Sequence, residues 1–165
     1  MIEVLQKIKK SYTTILVAIC AIICTVILLM NVVQCALRYL TDLSFHYTED
    51  VTVFGMLWIM GFGVSIGWMN REHLLINVID RFLKGRSMEI LMFALDILGI
   101  AVGVAMMYFG RLSQAMNTGF VMSVIGVDES FRYWPLIVGG GLNVFACIVC
   151  VLEQILVWRK EGKKE

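Results

Sequence analysis

Four stretches of this chain stay apolar for longer than a bilayer is thick. The hydrocarbon core of a membrane is ~30 Å across, which takes about 20 helical residues. Apolar runs of that length fall at 12–40, 50–70, 87–110 and 133–158. Inside lipid no water is present to satisfy a stray amide, so each run must close its hydrogen bonds within itself as a helix. The expected fold is therefore all-α integral membrane with four transmembrane helices, a single four-helix domain over residues 1–165. Composition agrees, with 59% hydrophobic residues against about 45–50% in a soluble domain. The first run reads as a span and not as a cleaved leader. Its apolar core, Ile15–Met30, exceeds the roughly 7–15 residues of a secretory signal, and no small-x-small cleavage site follows it.

Charge predicts which way the spans run. Lys7, Lys9 and Lys10 precede the first; Arg71, Arg81, Lys84 and Arg86 follow the second; Arg159, Lys160, Lys163 and Lys164 close the chain. Thr41–Glu49 has no Lys or Arg, and the segment after the third span has Arg111 and Arg132. Positively charged connections stay in the cytoplasm, so both termini are expected inside. Trp68, Trp134 and Trp158 lie near predicted span ends, where indoles favour the headgroup level. The formal net charge of +1 leaves no basic stripe to neutralise a nucleic-acid backbone, and nucleic acid is not an expected partner.

Two segments have the pattern of helices lying in the membrane plane. In Glu72–Lys84, Leu75, Ile79 and Leu83 recur at helical spacing, with Asn77, Asp80, Arg81 and Lys84 elsewhere. Such a helix rests its apolar face on lipid with its cations toward the headgroups, here on the cytoplasmic side. The alternative is a loop tucked against the bundle. The N-terminus repeats the pattern more weakly, with Ile2, Leu5 and Ile8 opposite Lys7 and Lys10.

Ionisable groups within lipid cost about 2.5–3.5 kcal/mol at a helix centre on insertion scales, so each calls for a reason. Asp96 lies ~12 Å into the third span at 1.5 Å per residue, with Gly99 and Gly103 on much the same face. It is expected to face protein, where Ser65 of the second span lies at similar depth. An ion or proton site is one reading. A hydrogen-bonded carboxyl joining helices is the favoured one, because a sodium ion needs several oxygens. Gly63-x-x-x-Gly67 and Gly99-x-x-x-Gly103 permit close helix approach. Asn31 and Gln34 are placed to bond across a helix interface, and Trp58, at mid-span, is expected to pack on a protein surface.

The five cysteines, Cys20, Cys24, Cys35, Cys147 and Cys150, all lie within apolar runs. Metal binding and disulfide exchange use the thiolate, which apolar burial disfavours, so Cys147-x-x-Cys150 reads as packing residues. The two histidines, His46 and His73, fall on opposite sides of the membrane under the expected topology. No nucleophile–base pair, zinc spacing or phosphate loop appears, so no catalytic, cofactor or metal residue is assigned.

The segment Asn31–Phe82 carries a pattern that resembles the small, DctQ-like membrane subunit of TRAP (tripartite ATP-independent periplasmic) transporters. Asn31-Val-Val-Gln-Cys-Ala-Leu-Arg38-Tyr39 is similar to the family's first-helix ending. Tyr47-Thr48-Glu49-Asp50 resembles its aromatic–Ser/Thr–Glu–Glu turn, with Tyr for Trp and Asp50 for the second Glu. Trp58-Ile-Met-Gly61-Phe-Gly63 is similar to the small-residue patch of the second helix. His73-Leu-Leu-Ile-Asn77 resembles a His-x-x-x-Asp signature, with Asn77 in place of the acid. Tyr133-Trp134-Pro135 resembles the start of the last helix.

The resemblance implies a non-catalytic scaffold in the bacterial inner membrane. A soluble extracytoplasmic binding protein would deliver an organic acid, such as a dicarboxylate or sialic acid. A large polytopic subunit would carry it across and bind the coupling sodium. Arg38, Glu49, Asp50, Trp58, Gly63, Gly67, His73, Asn77, Asp96, Gly99 and Gly103 are the expected contacts with partners or between helices. Arg38, Glu49 and Asp50 are expected near the outer surface, as an ion pair within the chain or as part of the binding-protein dock. Two other functions compete: a thiol–quinone oxidoreductase using Cys147 and Cys150, and a homodimeric cation-coupled exporter using Asp96.

Overall fold

A computed structural model describes residues 2–41, 47–70, 86–121 and 126–161. Four α-helices account for most of them: α1 (Ile2–Thr41), α2 (Tyr47–Asn70), α3 (Arg86–Met116) and α4 (Trp134–Glu161). A short 3-10 helix, Glu129–Tyr133, leads into α4. All four α-helices are long and apolar enough to cross a membrane. The backbone bonds of each close internally, as a lipid environment demands.

Contacts between helix ends show that successive helices alternate in direction. Lys9 near the start of α1 pairs with Glu153 near the end of α4. Thr13 Oγ1 donates to Asn70 Oδ1 at the end of α2, 3.1 Å away. At the opposite end, Arg132 pairs with Asp50 in the first turn of α2. The start of α1 and the end of α4 thus share one end of the bundle with the end of α2.

α4 is the hub. It packs on α2 and α3, whereas α1 packs mainly on α2 and is the least buried of the four. Small residues make this possible. A Cβ on Gly139 of α4 would lie 2.7 Å from Gly61 Cα of α2, and one on Gly103 of α3 would lie 2.9 Å from Gly140 O. The helix backbones touch at these crossings, as in small-residue membrane interfaces generally. Ala146, Cys147 and Cys150 of α4 are wholly buried beside Val149 and Met69.

The helices run further than the apolar runs suggested. α1 is continuous from Ile2, so its weakly amphipathic start belongs to the first helix and is not a separate interfacial one. α3 continues past Arg111 to Met116, and α2 begins at Tyr47. The expected interfacial helix at 72–84, with His73 and Asn77, lies outside the described residues.

After α3 the chain turns at Gly119, whose φ of +91° suits glycine. Val121 and Asp128 then face each other in a short antiparallel bridge. Glu129 N–H donates to Phe120 O at 2.7 Å. The Asp128 carboxylate accepts the N–H groups of Ser130 at 2.8 Å and Gly119 at 3.0 Å, which caps the 3-10 helix and closes the loop.

Candidate functional site

The polar side chains inside the bundle form joints between helices. Tyr12 of α1 donates its hydroxyl proton to Leu142 O of α4 at 3.0 Å. It also shares a hydrogen bond with Ser65 of α2. A hydroxyl has one proton to give, so Ser65 is the donor to Tyr12. One phenol therefore ties three helices, and its ring packs on Phe145 with centroids 5.6 Å apart. Sequence reasoning did not single out Tyr12, because its partners lie 53 and 130 residues away.

Asp96 is buried, as expected, but its bonded partner is Trp68 rather than Ser65. The indole Nε1–H donates to Asp96 Oδ1 at 3.1 Å. The joint links α2 to α3 one turn from Gly99, where an added Cβ would run into the Trp68 ring and lie 2.7 Å from Cys147 Sγ. Gly99 thus makes room for the indole, which a position near a span end did not suggest. Cys150 Sγ approaches Trp68 O at 3.7 Å. Next along α4, the wholly buried Asn143 donates from Nδ2 to Gly99 O at 3.0 Å.

Asn31 of α1 donates to Thr52 Oγ1 of α2 at 3.1 Å and to Ile27 O in its own helix at 2.8 Å. Trp58 is half-buried between Phe54 and Phe62 of its own helix, with centroids 6.2 and 5.2 Å away. Its ring extends an aromatic ladder along α2.

The two glycine pairs divide. Gly99 and Gly103 are buried against α4, so they serve packing within the chain. A Cβ on Gly63 or Gly67 would meet nothing within 4 Å. Their expected helix contact is not made among the described residues. Met56, Met60 and Gly63, at helical spacing on α2, are exposed, and Gly67 is half-buried.

Asp50 pairs with Arg132, at 3.1 Å, and not with Arg38 as the sequence suggested. Arg132 reaches Glu129 at 3.5 Å with its other terminal nitrogen. Arg38 and Glu49 are exposed, and among the described residues neither is in an ion pair. The reason is geometric. The 3-10 helix brings Arg132 over the start of α2, while Arg38 lies on an open side of α1.

All five cysteines are free thiols. Cys147 and Cys150 are filled in by neighbours on every side, and their sulfur atoms act as packing volume.

A bundle of four spanning helices, pinned internally by single polar joints, defines a multi-pass membrane protein whose interior is built for cohesion. The family model for the DctQ component of tripartite ATP-independent periplasmic transporters matches residues 25–157, well over half of the chain. The chain belongs to this family: it is a small membrane subunit of a TRAP transporter and resides in the inner membrane. The chain matches no curated protein.

Proposed function

We propose that this chain is the non-catalytic scaffold of a sodium-coupled transporter that takes up an organic acid handed over by an extracytoplasmic binding protein. The supporting observation is how its membrane-embedded polar groups are used. Tyr12, Ser65, Trp68, Asp96 and Asn143 bond helix to helix, through partners on a different helix in each case. A transport site needs polar groups that face a substrate path; these face one another. In this reading the sodium and the acid bind the large polytopic subunit. The basic end of the bundle, with both termini, faces the cytoplasm. The open face of α2 that carries Gly63 and Gly67 packs against the large subunit, since glycine lets a partner helix approach its backbone.

Proteoliposomes holding the large subunit, with the binding protein outside, provide the test. Sodium-driven uptake of a dicarboxylate or sialic acid should appear only when this chain is co-reconstituted. Cation-driven transport by the chain alone, or quinone reduction linked to oxidation of Cys147 and Cys150, would overturn the scaffold reading.

A further inference from the structure

Between α2, α3 and α4, toward the end of the bundle opposite the termini, lies a groove of about 350 Å³. Val53, Leu57 and Met60 of α2, Met106 of α3 and Leu136 of α4 form its apolar wall, and Arg132 and Tyr133 lie at its head. Its length is informative. On α2 its lining runs from Val53 to Gly61, eight residues further along or about 12 Å at helical rise. That is most of one leaflet of a ~30 Å hydrocarbon core.

The head of the groove carries both signs of charge. The Arg132 guanidinium holds Asp50 at 3.1 Å and Glu129 at 3.5 Å, so two carboxylates share one cation. The Tyr133 hydroxyl accepts from Asn117 Nδ2 at 3.1 Å, which leaves its own proton to give. Exposed Glu49 adds a further acid beside Asp50.

We infer that this groove binds one phospholipid with a zwitterionic, primary-amine headgroup. An acyl chain fills the apolar cleft. The ammonium sits on the surplus carboxylates of Asp50 and Glu129, and the phosphate faces Arg132 and Tyr133. A purely anionic headgroup would meet more acid than base. A partner's apolar helix would fill the cleft but leave the charged head unmatched. On α2 the groove ends at Gly61 and the Gly63–Gly67 stretch follows it, so lipid and large subunit occupy adjoining stretches of the helix.

The complex of this chain with its large subunit, stripped of lipid in mild detergent, can be titrated with phosphatidylethanolamine or phosphatidylglycerol micelles and read by native mass spectrometry. One phosphatidylethanolamine should be retained about tenfold more strongly than phosphatidylglycerol, the scale of one charge-assisted contact. Val53→Trp, which fills the cleft from an exposed position on α2, should remove that bound lipid with the complex intact. Asp50→Asn with Glu129→Gln should erase the headgroup preference while some lipid is still held. Equal retention of the two lipids by the unaltered complex would overturn the proposal. So would undiminished binding by Val53→Trp, or occupation of the cleft by the large subunit, seen as a Met60→Cys crosslink to it with no lipid retained.

Discussion

Trp68 and Asp96 show how much a single buried bond carries when no water is present to replace it. Trp68→Phe removes the only donor on that ring and with it the bond to Asp96 Oδ1. The expected loss is about 1–3 kcal/mol, read as a lower midpoint for unfolding in detergent. Asp96→Asn keeps an acceptor for the indole, so it should stay near the unaltered midpoint and retain most uptake in the assembled transporter. Loss of sodium coupling in a well-assembled Asp96→Asn complex would instead make Asp96 an ion ligand. The burial of Asp96 was legible in its depth within an apolar run. Its partner was not, because hydropathy locates a residue along the membrane normal and says nothing about rotation around its helix.

Asp128 gives a second test at this scale. Its carboxylate accepts backbone N–H groups of Ser130 and Gly119, and these hold its pKa below the ordinary carboxylate value. A depressed folded pKa favours the closed loop above the unfolded pKa, near 3.9. That support is lost as pH falls through the folded value. Amide protection at Gly119 and Ser130, taken relative to the intrinsic exchange rate at each pH, should therefore fall in acid below that range, and Asp128→Asn should flatten the response. An unchanged pH dependence in that variant would show that the carboxylate does not hold the loop.

At the scale of whole helices, the glycines separate packing within the chain from packing outside it. Gly99→Ala places a methyl group into the Trp68 ring, and Gly61→Ala places one 2.9 Å from Pro135 O. Each should cost about 1–3 kcal/mol of overpacking, with poorer yield of the isolated chain. Gly63→Leu and Gly67→Leu enter open space, so the isolated chain should keep its yield and melting point. If α2 packs on the large subunit there, the same two variants should lose co-purification with it. Intact complex with both leucines in place would move the interface elsewhere. The four helices themselves were legible because lipid forces every long apolar run to be a helix. The roles of the glycines were not, since Gly63-x-x-x-Gly67 and Gly99-x-x-x-Gly103 have the same spacing and only the neighbours distinguish them. The ends of the helices were also hidden. A helix can continue into the headgroup region past a charge such as Arg111, where apolarity stops but hydrogen bonding does not.

For the molecule as a whole, the two ends carry different kinds of charge contact, and this makes a final prediction. Arg132 is committed within the chain, gathering Asp50 and Glu129 and so fastening the 3-10 helix over α2. Arg38, at the same end, is exposed and in no ion pair among the described residues. Reversing each charge should therefore have opposite consequences. Arg132→Glu sets three acids together and should lower stability and complex yield. Adding Asp50→Arg restores a pair across the same gap and should recover much of both. An exposed pair is worth only about 0–1 kcal/mol, but this one is partly covered and its loss leaves like charges in contact. Arg38→Glu should leave the fold and yield of the isolated chain unchanged, because it breaks no ion pair among the described residues. If the binding protein docks over this end, Arg38→Glu should still slow uptake, most at low salt, through a lower association rate rather than a weaker final complex. Screening shortens the reach of the charge to about 10 Å at 0.1 M salt, so the defect should shrink as salt is raised. A defect that persists at high salt would point to misfolding, and uptake equal to the unaltered transporter at every salt would place the docking surface elsewhere.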